Sequence, residues 1–226
     1  MFELPKVYEI GITILALLIA IIGHEIMHGV AALKYGDTTA KDSGRLSINP
    51  LVHIDLIGSI LVPGLLIVFN APFLFGWAKP VPVNINKVVR NGGYFGAFCV
   101  SLAGISYNLI LAIFASLLLF LINLNFTNEL SLSTQAEFAL FIGIFFILQL
   151  IIYNVILAVF NILPIPPLDG SQALAYLGLM FKSPFFANLF SRIPPFAGML
   201  VLIIILSTPL VSIVAVPAQT IINLFL

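Results

Sequence analysis

The chain of 226 residues is 61% hydrophobic and 8% charged, with a mean hydropathy of +1.18, which excludes an ordinary soluble globular domain and marks an integral membrane protein. Nine basic and nine acidic residues cancel, so the chain lacks the basic excess of a nucleic-acid binder and points to no strongly acidic partner. The single cysteine, Cys99 in GAFCVSLAG, forms no intrachain disulfide and no CxxC site, and reads as a small packing residue.

Runs of about 20 apolar residues mark membrane-spanning helices, and five segments qualify: residues 7–35, 54–75, 94–124, 138–163 and 196–226. The first is too long for a signal peptide and lacks a basic n-region and a small-residue cleavage site, so it reads as a retained span. Residues 38–50, TTAKDSGRLSINP, are too polar to span. Turn chemistry at 42–44 and alternation across 45–48 predict a short membrane-associated β-hairpin beside the first helix, with an ordinary loop as the alternative. The second run carries Pro63, Gly64, Asn70 and Pro72 and predicts a broken or partly inserted element. The last contains Pro209 and Pro217, which allow either one kinked helix or a tight hairpin. The expected fold is therefore all-α and polytopic, with about five to six transmembrane or re-entrant helical segments. It forms a single membrane-embedded domain over residues 1–226, without a soluble accessory domain.

Charge orients these segments. Lys34, Lys41 and Arg45 lie in 34–53, Lys79, Lys87 and Arg90 in 76–93, and Lys182 and Arg192 in 182–192, whereas 123–137 has two glutamates and no Lys or Arg. The positive-inside rule puts the three basic stretches on the cytoplasmic side and the acidic one, with Glu3, Lys6 and Glu9, outside. Residues 54–75 then have basic flanks on both sides, which favours a re-entrant element.

Within the first span, residues 20–37 read AIIGHEIMHGVAALKYGD. A charged residue inside an apolar helix is costly, and Glu25 here is flanked by two of the chain's three histidines. His24 and His28, four residues apart, lie one helical turn apart on one face and can share a metal ion. Glu25 stands beside that metal, where it can take a proton from a metal-bound water. Two histidines need a third protein ligand. His53 and Asp55 in NPLVHID are candidates, as is Asp169 in NILPIPPLDGSQAL, where Pro164, Pro166 and Pro167 stop the helix and predict an unwound, extended segment. Orientation supports Asp169: the first helix carries HEIMH in its cytoplasmic half, about 9 Å from Lys34 at the rise of an α-helix, and the fourth span delivers Asp169 to the same depth.

HEIMHGVAALKYGD together with NILPIPPLDG resembles the site-2 protease family of intramembrane zinc metalloproteases, and the similarity extends through GRLSINPLVHID, FGWAKPVPVN and SLAGISYN, across most of residues 20–175. The resemblance implies one zinc ion per chain held by His24, His28 and Asp169, Glu25 as catalytic base, and Asn161 as a group that binds substrate or stabilises the oxyanion. It also implies membrane-associated strands after the first helix that hold substrate extended. The chain departs from the family pattern at Leu56 and Ile105, where members often carry proline. No PDZ-like insertion or nucleotide-sensing tail is visible.

Other polar positions have plainer readings. Ala97, Ser101, Gly104 and Asn108 share one face of the third span and suit close helix packing, with Asn108 in a hydrogen-bond network. Gln149, Asn154 and Asn161 face the protein interior, since lipid cannot satisfy them. His53 is a supporting group or a substrate contact, or simply an interfacial histidine. The expected function is hydrolysis of a peptide bond in or near a transmembrane segment of a membrane-protein substrate. The partners are that substrate and the bilayer, with a homo-oligomer or a regulatory membrane partner as further expectations, and no nucleic acid. The location is the cell membrane, multi-pass, with the active site towards the cytoplasm. The alternative is a membrane metal-ion transporter or metal-binding protein using the same ligands, with Glu25 only a counter-charge.

Overall fold

The computed structural model describes residues 4–69, 77–126 and 134–226. Glu3, Asn70, Pro72 and residues 127–133 of the acidic stretch fall outside it, so the expectations resting on them are not addressed. Helix α1 (Lys6–Lys34) starts behind Pro5, carries Glu9 in its first turn and Lys34 in its last, and so complements the helix dipole at both ends. A helical turn, α2 (Thr39–Asp42), follows. A 3-10 turn (Pro50–His53) and a π-helical turn (Leu56–Leu61) lead into the short α3 (Val62–Val68). Residues 77–84 form neither helix nor strand and lead into α4 (Ile85–Phe126), which is broken at Gly93. α5 (Thr134–Asn161) returns, and an unwound stretch precedes α6 (Asp169–Met180). The remainder comprises α7 (Phe185–Ser191), α8 (Pro195–Ser207), a 3-10 turn (Pro209–Val211) and α9 (Ser212–Phe225).

Three helices, Lys6–Lys34, Ile85–Ile122 and Gln135–Asn161, are long and apolar enough to cross a membrane; a fourth span results if α7 and α8, bent by 90°, are counted as one. Among the described residues these account for three or four of the expected five to six transmembrane or re-entrant segments. Of residues 54–75, the described part, 54–69, holds a π-helical turn and a seven-residue helix. In the last run, Thr208 is extended (φ −124°, ψ 170°) and separates α8 from α9, because Pro209 disfavours helical geometry in the residue before it.

α4 packs on α1, α5 and α6, and α9 covers α5. Alanines fill the contacts: Ala16, Ala20 and Ala32 on α1 and Ala97, Ala112 and Ala115 on α4 are all buried. Large side chains such as Ile110, Phe114, Leu117 and Phe120 point outward. Hydrocarbon solvates a leucine as well as a protein does, so close backbone approach decides which residues go inside.

The β-hairpin expected at 38–50 is absent, and no strand occurs among the described residues. Local side chains win that segment: Asp37 accepts from the N–H and hydroxyl of Thr39, Thr38 donates to Asp42, and the Ser43 N–H returns to the Thr39 carbonyl. This closes a helical turn instead of a ladder. The alternation expected at 45–48 is not seen in burial: Arg45 is buried, Leu46 and Ser47 are half-buried and Ile48 is 87% exposed.

Asp37, 1% exposed, joins the end of α1 to the start of α4 by accepting the Asn84 N–H at 2.6 Å, with Lys87 Nζ 3.7 Å away. Burial works against its charge, but hydrogen bonds from Thr39 and Asn84 and the nearby Lys87 outweigh it and hold its pKa below the ordinary carboxylate value. The unfolded chain therefore takes up this proton at higher pH than the folded one. The stabilisation is complete above the ordinary carboxylate pKa and is lost as pH falls through the lowered value. Asp37→Ala is expected to lower stability by about 1–3 kcal/mol and to flatten this acid limb, measured by thermal unfolding in detergent from pH 7 down to 3.

Candidate metal centre

Helical spacing on α1 brings His24 and His28 to one face. The third group arrives from the break after α5, where Pro164, Pro166 and Pro167 prevent the helix from continuing. Leu168 is extended (ψ 154°), and Asp169 opens α6. The aspartate thus lies on the first residue of a helix, not on the extended segment that the prolines suggest. There the helix dipole favours a carboxylate. The adjacent Gly170 is buried against the carbonyl of Ile162, where a Cβ would come within 2.1 Å; only glycine lets this turn fold back onto the end of α5.

His24 Nε2 lies 3.0 Å and His28 Nε2 3.2 Å from Asp169 Oδ2, and the two histidine nitrogens are 3.2 Å apart. Their other ring nitrogens fix what these atoms carry. His28 Nδ1 is 2.8 Å from the Val100 carbonyl, which only accepts, so Nδ1 holds the proton. Asn108 donates its amide to the Ala20 carbonyl and to Asn154 Oδ1, so its own oxygen accepts from His24 Nδ1 at 2.7 Å. In the neutral rings both Nε2 atoms therefore present lone pairs. Asp169 Oδ2 is buried and takes no hydrogen bond. Three electron-rich atoms at these separations repel unless a cation lies among them. Tetrahedral zinc, with bonds of about 2.0–2.2 Å to nitrogen and oxygen, separates its donors by about 3.3–3.5 Å, close to what is seen. Two imidazoles and one carboxylate with a fourth position open are a catalytic zinc donor set, and His24, His28 and Asp169 form the one such group among the described residues.

The centre opens into a cavity of about 620 Å³. Glu25 lines it and accepts the Val81 N–H on Oε2 at 2.8 Å. Trp77, Phe160, Tyr176, Met199 and Leu202 supply apolar wall. Asn161 also lines the cavity, its amide donating to the Leu157 carbonyl at 3.0 Å. His53 and Asp55 do not join the group. His53 is buried with Nε2 2.8 Å from the Ser47 carbonyl, and the Asp55 carboxylate caps the π-helical turn through the Gly58 N–H.

Four residues gain a place at the site that the sequence reading did not give them. Gln172 and Tyr176 line the cavity; they follow Asp169 at i+3 and i+7, so helical periodicity would have found them had α6 been known to start there. Asn108 orients His24, and Gly104 makes room for it, since a Cβ at 104 would lie 2.5 Å from the imidazole. The small-residue face of α4 is thus also the wall against which the His24 imidazole rests.

The chain is 37% identical over 157 residues, 70% of its length, to a protein of Bacillus subtilis (strain 168) named "Putative zinc metalloprotease YwhC". The match spans 64% of that relative's own length. No family model and no solved structure matches the chain.

Asn108→Ala, which removes the acceptor for His24 Nδ1, is expected to weaken zinc binding roughly 10- to 100-fold, read by competition with a chromophoric chelator. Gly104→Ala should do the same by displacing the ring. Wild-type affinity in both would mean that α4 does not hold this ligand.

Proposed function

We propose that the chain is an intramembrane zinc metalloprotease of the site-2 protease type, cleaving a peptide bond in or near a transmembrane segment of another membrane protein. The observation that carries this reading is the convergence of His24, His28 and Asp169 beside Glu25, in a cavity among helices apolar enough to cross a membrane. The name of the Bacillus relative and the motif resemblance support it.

His24, His28 and Asp169 would hold one zinc ion. Bound there, that ion would lower the pKa of a water towards neutrality and polarise the scissile carbonyl. Glu25 takes the proton of the attacking water on Oε1, since Oε2 is engaged by Val81. As the water oxygen bonds to the carbonyl carbon and the carbon–nitrogen bond breaks, Glu25 returns the proton to the leaving amine. Asn161 has one amide hydrogen beyond its bond to Leu157 and offers it to the substrate carbonyl. The apolar wall keeps bulk water away and favours large apolar side chains beside the scissile bond. A helical substrate hides its carbonyls in its own hydrogen bonds, so it must unwind before attack, and Pro, Gly or Asn near the bond assists. The basic loops support a location in the cell membrane with this site towards the cytoplasm.

Glu25→Gln is expected to lower turnover of a single-span test substrate about 10²- to 10⁴-fold while zinc content stays at the wild-type level; a chelator should abolish cleavage and added zinc restore it. Cleavage indifferent to both would overturn the reading. Zinc flux into vesicles, unaccompanied by hydrolysis, would establish metal transport in its place.

A further inference from the structure

His53 and Arg45 are among the buried polar side chains that take no part in the chemistry above. His53 ties its own loop together through Ser47. Arg45 has no such local account: it is 8% exposed, its Nε lacks a hydrogen-bond partner, and no ion pair with an acid is found for it among the described residues. A guanidinium buried without a carboxylate is costly, and an apolar side chain of similar length would fill the space more cheaply. Its one strong contact is Nη2 donating to the Lys79 carbonyl at 2.6 Å.

Lys79 belongs to the segment 77–84 that runs beside α1. Two residues further on, the Val81 N–H holds Glu25 Oε2 at 2.8 Å. Pro80, between Lys79 and Val81, has its φ fixed by its ring, and Pro82 restricts Val81, so only the Pro80 ψ lets the Lys79 carbonyl and the Val81 amide turn relative to each other. Further contacts tether this segment without aiming it at Glu25: the Trp77 N–H to the Gly58 carbonyl at 3.1 Å, the Lys79 N–H to the His53 carbonyl at 2.9 Å, and the Asn84 N–H to Asp37. At Gly29, next to His28, a Cβ would meet Leu46 at 2.5 Å and Val81 at 3.0 Å. Leu46 and Val81 are thus both seated on α1 beside the metal-binding turn, with Arg45 adjoining Leu46.

We propose that Arg45 is a positioning residue for Glu25, acting through the Lys79 carbonyl and the Val81 N–H to hold the carboxylate at the angle proton transfer requires. This rests on the protease reading. Arg45 touches neither metal nor substrate; it sets where the amide that steers the base is found.

Arg45→Met keeps the length and removes the donors, Arg45→Lys keeps one donor, and replacement of the Val81 amide by an ester deletes the N–H with its side chain intact. With a detergent-solubilised single-span peptide carrying an Asn-Gly pair as substrate, Arg45→Met and the ester are each expected to lower kcat roughly 10- to 100-fold, leaving KM within about twofold and zinc content at the wild-type level. Arg45→Lys should recover most of kcat. Wild-type kcat in the ester protein would overturn the inference, as would an Arg45→Met protein whose loss lies in KM or in zinc content. Wild-type protein that shows no chelator-sensitive cleavage would instead fail the protease reading itself, and this inference with it.

Discussion

Two imidazole nitrogens and a carboxylate oxygen, 3.0 to 3.2 Å apart inside a bundle of apolar helices, impose the constraint on which the rest of this structure depends. Such atoms repel in the absence of a cation, and lipid offers neither water nor counter-ion to relieve them. The surrounding helices are arranged to hold the group against that repulsion. α4 supplies acceptors for both Nδ1 atoms, through Val100 and Asn108, and a glycine where the first ring needs space. The break between α5 and α6 supplies the carboxylate. Each support is itself satisfied: Asn108 leans on Asn154 and on the Ala20 carbonyl, and Asn154 on the Leu150 carbonyl. A polar network at this depth is stable only when every member has its partner.

The segment before α4 ties this centre to the part of the molecule outside the spans. Its backbone is held in turn by the π-helical turn, the His53 loop, Arg45, Glu25 and Asp37. The strands expected after the first helix are not seen among the described residues. Residues 38–50 carry Thr, Asp and Ser side chains that close a helical turn on their own backbone, whereas 77–84, with Pro80 and Pro82, cannot coil into a helix and has few N–H groups with which to build a ladder.

Much of the fold and the centre was legible from residues alone. Apolar runs marked α1, the membrane part of α4, and α5 almost to their ends, since length and composition suffice when hydrocarbon is the solvent. His24, Glu25 and His28 followed from helical periodicity. The interruption at Pro209 followed from proline chemistry. Three helices, or four with α7 and α8 counted as one, are long and apolar enough to cross a membrane; apolar composition alone does not separate a crossing helix from short or bent elements such as α3, α8 and α9.

What the sequence determined by itself is the set of local properties: which segments are apolar, where helices must stop, and which two histidines share a face. These depend on neighbours within a turn or two. What only the tertiary structure decided is everything that crosses between segments: that Asp169 and not His53 or Asp55 meets the histidines, that Asn108 fixes a tautomer rather than merely packing, that Gln172 and Tyr176 line the cavity, and that a buried arginine reaches the backbone steering Glu25. Those pairings join residues dozens of positions apart, and their geometry is set by how closely α1, α4 and the α5–α6 break can approach, which no local pattern encodes.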